Sequence, residues 1–176
     1  MASSVAFEIL YKEYYVRVFG LCRRLLNSAP LAEDATQEAF MRAYQSFDKY
    51  DTGQPFWQWI ASIANNHCVD LLRKRSRLAG LFGDEETELE LLESPDKQAV
   101  ALLIEAEDTS ALNAAVAQLP DKYRVPLVLA YYNDSSYDRI ATDLSISRNH
   151  VGVLLLRAKQ QLRSFLENAV SADFRS

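Results

Sequence analysis

Hydroxyl, amide and guanidinium side chains recur in one line near the middle of the chain. Ser62, Asn66, Asp70, Arg73 and Arg77 stand four, four, three and four residues apart. On a helix that spacing gathers them on a single face, polar at its start and basic at its end. Trp57 and Trp59 lie just upstream. Such a face suits contact with phosphates and bases, and neighbouring aromatics suit stacking on unpaired bases. A basic helix end is also favourable against the helix dipole, whatever it touches. The residues alone permit both readings.

Two further groups carry possible chemistry. Asp34, Glu38 and Arg42 share a helical face with Gln37 beside them, which spacing alone describes equally well as a solvated surface. Ser136 to Val151 reads as helix, tight turn, helix, with Ser136 and Ser147 as N-cap hydroxyls. Ile140, Ala141, Leu144, Ile146, Val151 and Leu155 are the apolar contacts that lock the pair. That geometry lets the second helix enter a DNA major groove, although a plain helical hairpin has the same pattern.

Enzymatic chemistry has no foothold. The chain has no P-loop, no dinucleotide glycine pattern and no paired-histidine metal spacing. His67 reads as a packed residue and His150 as a surface one, and neither a metal nor a cofactor is implied. Cys22 and Cys68 are isolated in apolar-periodic segments, which predicts buried free thiols rather than a disulfide or a zinc site. No signal peptide is legible in Met1 to Phe7, and no apolar run is long enough to span a bilayer. The expected compartment is the cytoplasm.

The elements that must position these groups are helical. Five glycines and five prolines in 176 residues leave few turn signals for an all-β chain, so the expected fold is all-α. Apolar periodicity predicts helices over about Phe7–Leu26, Leu31–Phe47 and Phe56–Ser76. Ala35, Ala39, Ala43 and Phe47 form an apolar line in the second, and Ile60, Ile63, Ala64 and Leu71 the apolar side of the third. Asn27 to Pro30 and the loop Asp48–Pro55 separate them. Helical pattern returns near Lys97 and closes at Pro120. Three more helices follow, over about Asp121–Tyr132, Tyr137–Leu144 and Arg148–Ala169, with Pro126 expected to bend the first of them or thin its hydrogen bonding.

Charge divides the chain further. The net charge of −5 belongs to the middle. Residues 1–77 carry ten basic against eight acidic groups, residues 78–108 one against ten, and residues 109–176 eight against six. Gly80, Gly83 and the run Asp84–Glu88 mark the boundary, and a block of like charge stays extended. Two small helical domains, 1–77 and 109–172, are therefore expected on either side of an acidic flexible linker, 78–108.

Taken in order, these blocks resemble the extracytoplasmic-function group of the sigma-70 family of bacterial RNA polymerase sigma factors. The residues that carry the resemblance begin with Ala32-Glu33-Asp34, Gln37-Glu38 and Phe40. Trp59-Ile60, Ile63-Ala64, Asn66, Asp70 and Arg73 follow. Leu119-Pro120, Ser136-Tyr137, Ile140-Ala141 and Arg157-Ala158-Lys159 complete it.

The resemblance implies partners and roles. Asp34, Gln37, Glu38, Met41 and Arg42 would dock on the clamp helices of the largest subunit of core RNA polymerase. Lys49, Tyr50, Thr52, Gln54, Phe56 and Trp57 would capture a flipped base of the −10 promoter element. Ser62, Asn66, Arg73, Lys74 and Arg77 would hold the melting duplex. The helix-turn-helix, about 137–159, would read the −35 element through Arg148, Asn149 and His150, with Arg157 and Lys159 on phosphates. The second domain would also meet the flap of the second-largest subunit, and an anti-sigma protein is an implied partner. Two departures stand out: Ser145 where the turn commonly has glycine, and Gly152-Val153-Leu154-Leu155-Leu156 where polar readers are common. They predict a weak −35 readout and an exposed Val153 or Leu156. Two other readings fit parts of the chain: a helix-turn-helix regulator that never joins polymerase, and a helical interaction protein without a DNA role.

Overall fold

Small residues set the first packing. In the computed structural model, which describes residues 2–76 and 109–175, Ala32, Ala35, Ala39 and Ala43 are fully buried along α2 (Ala29–Gln45). Side chains this short let α1 (Ala2–Leu26) and α3 (Phe56–Ser76) approach closely, and the three helices pack on one another. Val18, Leu21, Leu25 and Leu26 of α1, Phe40 of α2, and Ile60, Ala64, Val69 and Leu72 of α3 fill the core. Ile63 and Leu71, expected inside, are half-buried instead, because the core side of α3 is centred on Ala61, Ala64, Cys68 and Leu72. Cys22 and Cys68 are buried free thiols, as expected. They share a hydrogen bond, which together with burial pushes the Cys68 thiol far above its ordinary range.

Capping fixes the ends. Asn27 takes a left-handed conformation (φ 52°) and donates its N–H to the Arg23 carbonyl, closing α1. Ser28 then accepts from the Leu31 N–H and starts α2 two residues earlier than expected, with Pro30 in the first turn. The break at Asn27–Pro30 is thus a cap. Two other boundaries shift. Helix α1 begins at Ala2, since nothing between Ala2 and Phe7 interrupts it. Helix α2 stops at Gln45, and Phe47–Lys49 form a 3-10 turn. The fourth alanine-line position, Phe47, therefore leaves the helix but still packs, with its ring 5.2 Å from that of Phe7.

The second unit is built on Arg124. Helices α4 (Thr109–Gln118), α5 (Asp121–Tyr131) and α6 (Tyr137–Leu144) all pack on the long α7 (Arg148–Asp173). Arg124 is 2% exposed. Its guanidinium donates to the Leu119 carbonyl at 3.0 Å and pairs with Asp121, so the buried charge is satisfied. Pro126 does not interrupt the helix: α5 runs unbroken through it, with Tyr123 to Ala130 all buried. The missing N–H costs only the donor to Lys122, whose half-exposed position leaves that carbonyl near water.

Among the described residues there are seven α-helices and one 3-10 turn, and no strand, so the fold is all-α. The chain divides into two compact units, Met1–Ala79 and Gly80–Ser176. Of the helical pattern expected between Lys97 and Pro120, α4 is the described part; residues 97–108, the acidic run Asp84–Glu88 and Arg77 lie outside the described residues.

Gly152 yields a direct test of this packing. It sits inside α7, and a Cβ added there meets nothing within 4 Å. Gly152→Ala should therefore stabilise the second unit by about 0.5–1 kcal/mol through lost chain entropy. Thermal unfolding followed by circular dichroism should rise by roughly 4–8 °C per kcal/mol for a unit of this size. A midpoint that falls instead would mean the position is not open.

Candidate nucleic-acid interface

The side of α2 away from the alanine line carries the first candidate surface. Asp34, Gln37, Met41 and Arg42 are exposed there and Glu38 is half-buried. The Arg42 Nε donates to Glu38 Oε1 at 2.6 Å, an i, i+4 pair that fixes both side chains along the helix. Met41 is 51% and Tyr44 54% exposed, so apolar area continues beside the charges. His67 of α3 borders this edge. Burial, then repulsion from Arg42, lowers its pKa below the usual imidazole value and keeps the ring neutral at pH 7. The surface is an exposed, mixed polar and apolar helix face, as a protein partner requires.

The loop between α2 and α3 is held by rings. Tyr50 lies 4.8 Å from Trp59 and 5.7 Å from Phe56, Phe47 stacks on Tyr50 at 6.0 Å, and Phe56 meets Tyr14 of α1 at 5.2 Å. The Tyr50 hydroxyl donates to the Gln54 carbonyl, and the Gly53 N–H donates to Asp51 Oδ1 at 2.9 Å. These bonds tie the loop into a fixed shape, with Lys49, Thr52 and Gln54 exposed on it. Phe56, of the expected base-contacting set, is 5% exposed, and its ring supports the loop from within.

Helix α3 presents its stripe outward. Asn66, Asp70 and Lys74 are exposed, and Ser62 and Arg73 are half-buried. Trp57 is half-buried and departs from the rest. Its side chain turns toward α1, where the Arg17 guanidinium carbon sits 3.8 Å from the ring centroid. Arg17 escaped the sequence reading, since a cation and a ring forty residues apart leave no periodic signal. Phe47 was likewise legible only as an apolar position.

In the second unit both predicted caps form. Ser136 Oγ accepts from the Arg139 N–H and Ser147 Oγ from the His150 N–H, each at 3.1 Å. Between them Ser145 adopts the left-handed region (φ 56°, ψ 45°), and the Ile146 N–H reaches back to the Ala141 carbonyl at 3.0 Å. The turn keeps the geometry that glycine serves, at a cost of roughly 1 kcal/mol for the serine Cβ. Arg148 and Asn149 are exposed at the start of α7, and His150 is half-buried. Arg148 pairs with Asp138 across the turn at 3.2 Å. Arg157 and Lys159 are half-buried, the latter with its ammonium 5.4 Å from the Tyr131 ring. The expected exposure of Val153 or Leu156 is not found: both are half-buried on a helix against which α4, α5 and α6 pack.

Among the described residues no group of three His, Cys, Asp or Glu is placed to hold a metal. No helix among them is long and apolar enough to cross a membrane.

Known proteins share this layout. The sequence profile of Sigma-70 region 2 matches residues 10–78, and that of Sigma-70, region 4 matches residues 109–162. ECF RNA polymerase sigma factor SigW of Bacillus subtilis is 30% identical over 172 residues, covering 93% of this chain and 90% of that protein. ECF RNA polymerase sigma factor SigM of the same organism is 28% identical over 166 residues, covering 93% and 97%. Among solved structures, the sigma factor RpoE in complex with the anti-sigma factor NepR from Bartonella quintana aligns with a TM-score of 0.60. It covers 92% of this chain and 97% of that one at 18% identity, a likeness of fold.

Proposed function

Since the chain belongs to the extracytoplasmic-function group of the sigma-70 family, we propose that it divides promoter recognition between its two units. It is an RNA polymerase sigma factor that directs transcription initiation, and sigma factors act by binding DNA and polymerase, not by catalysis. Residues 1–77 dock on the clamp helices of the largest polymerase subunit through Asp34, Gln37, Glu38, Met41 and Arg42. The same residues open the −10 element. Lys49, Thr52 and Gln54 meet a flipped base on the Tyr50-braced loop, and Ser62, Asn66, Arg73, Lys74 and Arg77 track the backbone. Unstacking costs a few kcal/mol, offset by stacking and phosphate contacts.

Residues 109–172 place α7 in the major groove of the −35 element. There Arg148, Asn149 and His150 are the base readers, and Arg157 and Lys159 are the phosphate contacts. This unit also meets the flap of the second-largest subunit. Residues 78–108, with ten acidic groups against one basic, link the two and run through polymerase as a nucleic-acid mimic. The protein works in the cytoplasm, and an anti-sigma protein restrains it, as NepR binds RpoE.

One observation carries this reading. A regulator acting on duplex DNA alone would need only residues 109–162, yet a region 2 match over residues 10–78 precedes them, with an exposed polar face on α2. The test is reconstitution: the purified chain, sigma-free core polymerase and a promoter library. Discrete transcripts that depend on the chain are the expected result. DNA binding without chain-dependent starts would reduce it to a helix-turn-helix regulator.

A further inference from the structure

The first unit carries a cation that the promoter-binding residues above do not include. Arg17 of α1 lies over the Trp57 indole at 3.8 Å, and Arg17 is exposed. Among the described residues no carboxylate pairs with it. The nearest acidic neighbours along its own helix do not neutralise it either: Glu8 is paired with Lys12 at 2.7 Å, and Glu13 lies exposed without an ion pair. A guanidinium held over an indole ring keeps N–H donors for a further partner. It is pre-ordered for an oxyanion, and the stack removes much of the entropy that fixing a free arginine costs.

Position gives this pair its meaning. Trp57 and Trp59 are two residues apart, about 200° around the helix at roughly 100° per residue. Trp59 turns to Tyr50 under the loop, on the side of the Ser62 and Asn66 stripe, whereas Trp57 turns to α1. The Arg17–Trp57 pair therefore lies at the start of α3, on the other side of that helix from Trp59 and the stripe.

We infer that Arg17, braced by Trp57, is a backbone-phosphate site for the separated promoter strand, extending its path from the loop onto α1. The inference rests on the single-strand reading of α3 proposed above. Arg17 contacts the sugar–phosphate chain and reads no base, so it adds affinity without changing sequence preference.

The test is equilibrium binding of the full-length chain to a random 16-nucleotide single-stranded DNA pool between 50 and 200 mM NaCl. Each lost phosphate contact lowers the slope of log affinity against log salt by about 0.7 for single strands, or about 2.5-fold across that range. Arg17→Gln and Arg17→Ala should each show that loss, Arg17→Lys should retain most of the slope, and Trp57→Leu should fall between. Thermal unfolding of Arg17→Gln should stay near wild type, so a purely packing role would not reproduce the salt effect. Arg73→Gln serves as the comparison. If Arg73→Gln lowers the slope and the Arg17 variants do not, Arg17 is no phosphate site and the α3 reading stands. If the wild-type chain shows no salt-dependent binding, both fall together.

Discussion

Reversing two charges on α2, Asp34→Lys with Glu38→Lys, is expected to abolish co-purification with core polymerase while leaving the far-ultraviolet circular dichroism spectrum unchanged. Both halves of that expectation follow from where the side chains sit. Asp34 is exposed and Glu38 half-buried, and the core side of α2 is made by Ala32, Ala35, Thr36, Ala39, Phe40 and Ala43 instead. The fold loses the Glu38–Arg42 pair at 2.6 Å and gains a like-charge neighbour. Each of these changes is worth about 0.3–0.5 kcal/mol on a helix surface.

The interface stands to lose far more. Removing one partner of a desolvated charge pair costs about 2–5 kcal/mol, and reversal adds repulsion. Two such changes weaken binding by at least about 4 kcal/mol, close to a thousand-fold. Pull-down with tagged core reads the loss, and promoter-directed transcripts should vanish with it. Wild-type retention of the double variant on core would show that this face does not dock on polymerase.

The helix boundaries were legible in the sequence where a side chain acts on its own backbone. Ser136 and Ser147 cap helices because a hydroxyl reaches an N–H three residues on, and that spacing is visible in one dimension. The alanine line was legible for the same reason, as was the all-α fold. What stayed hidden depends on contacts between distant segments. Phe56 and Trp57 are adjacent aromatics in the chain, yet one is spent on Tyr14 and the core and the other turns to Arg17. The sequence offers both as base contacts and cannot divide them. Leu156 fails in the opposite direction: an apolar residue on a polar-looking helix reads as exposed, until three other helices are seen to pack on α7. Ser145 does not obey its local preference, because the two capped helices hold the turn around it, and α5 continues through Pro126 among buried neighbours with one backbone donor missing.

Promoter choice should depend on the −10 element far more than on the −35 element. The α7 residues that face outward near its start are few. Arg148 is exposed but paired with Asp138 at 3.2 Å, Asn149 is exposed, and His150 is half-buried. One turn on, Gly152 offers no side chain into open space, and Val153 and Leu156 offer only apolar surface. A good bidentate contact supplies about 1–3 kcal/mol of discrimination against a wrong base pair, and few groups here can make one. Thymine methyls could still meet Val153, at a smaller gain. Phosphate contacts from Arg157 and Lys159 would seat the unit without reading sequence. The loop of the first unit is the opposite case: Tyr50 is braced by Phe47, Phe56 and Trp59, so its exposed Lys49, Thr52 and Gln54 are presented in a fixed shape. In reconstituted transcription with purified core, single −10 substitutions should therefore cut initiation about ten-fold or more, the worth of one lost contact. Single −35 substitutions should mostly change it by less than about three-fold, since few groups on α7 can make a bidentate contact. Equal losses at the two elements would show that Arg148 and Asn149 read bases as strongly as a full set of polar readers, and that the apolar run on α7 carries no penalty for recognition.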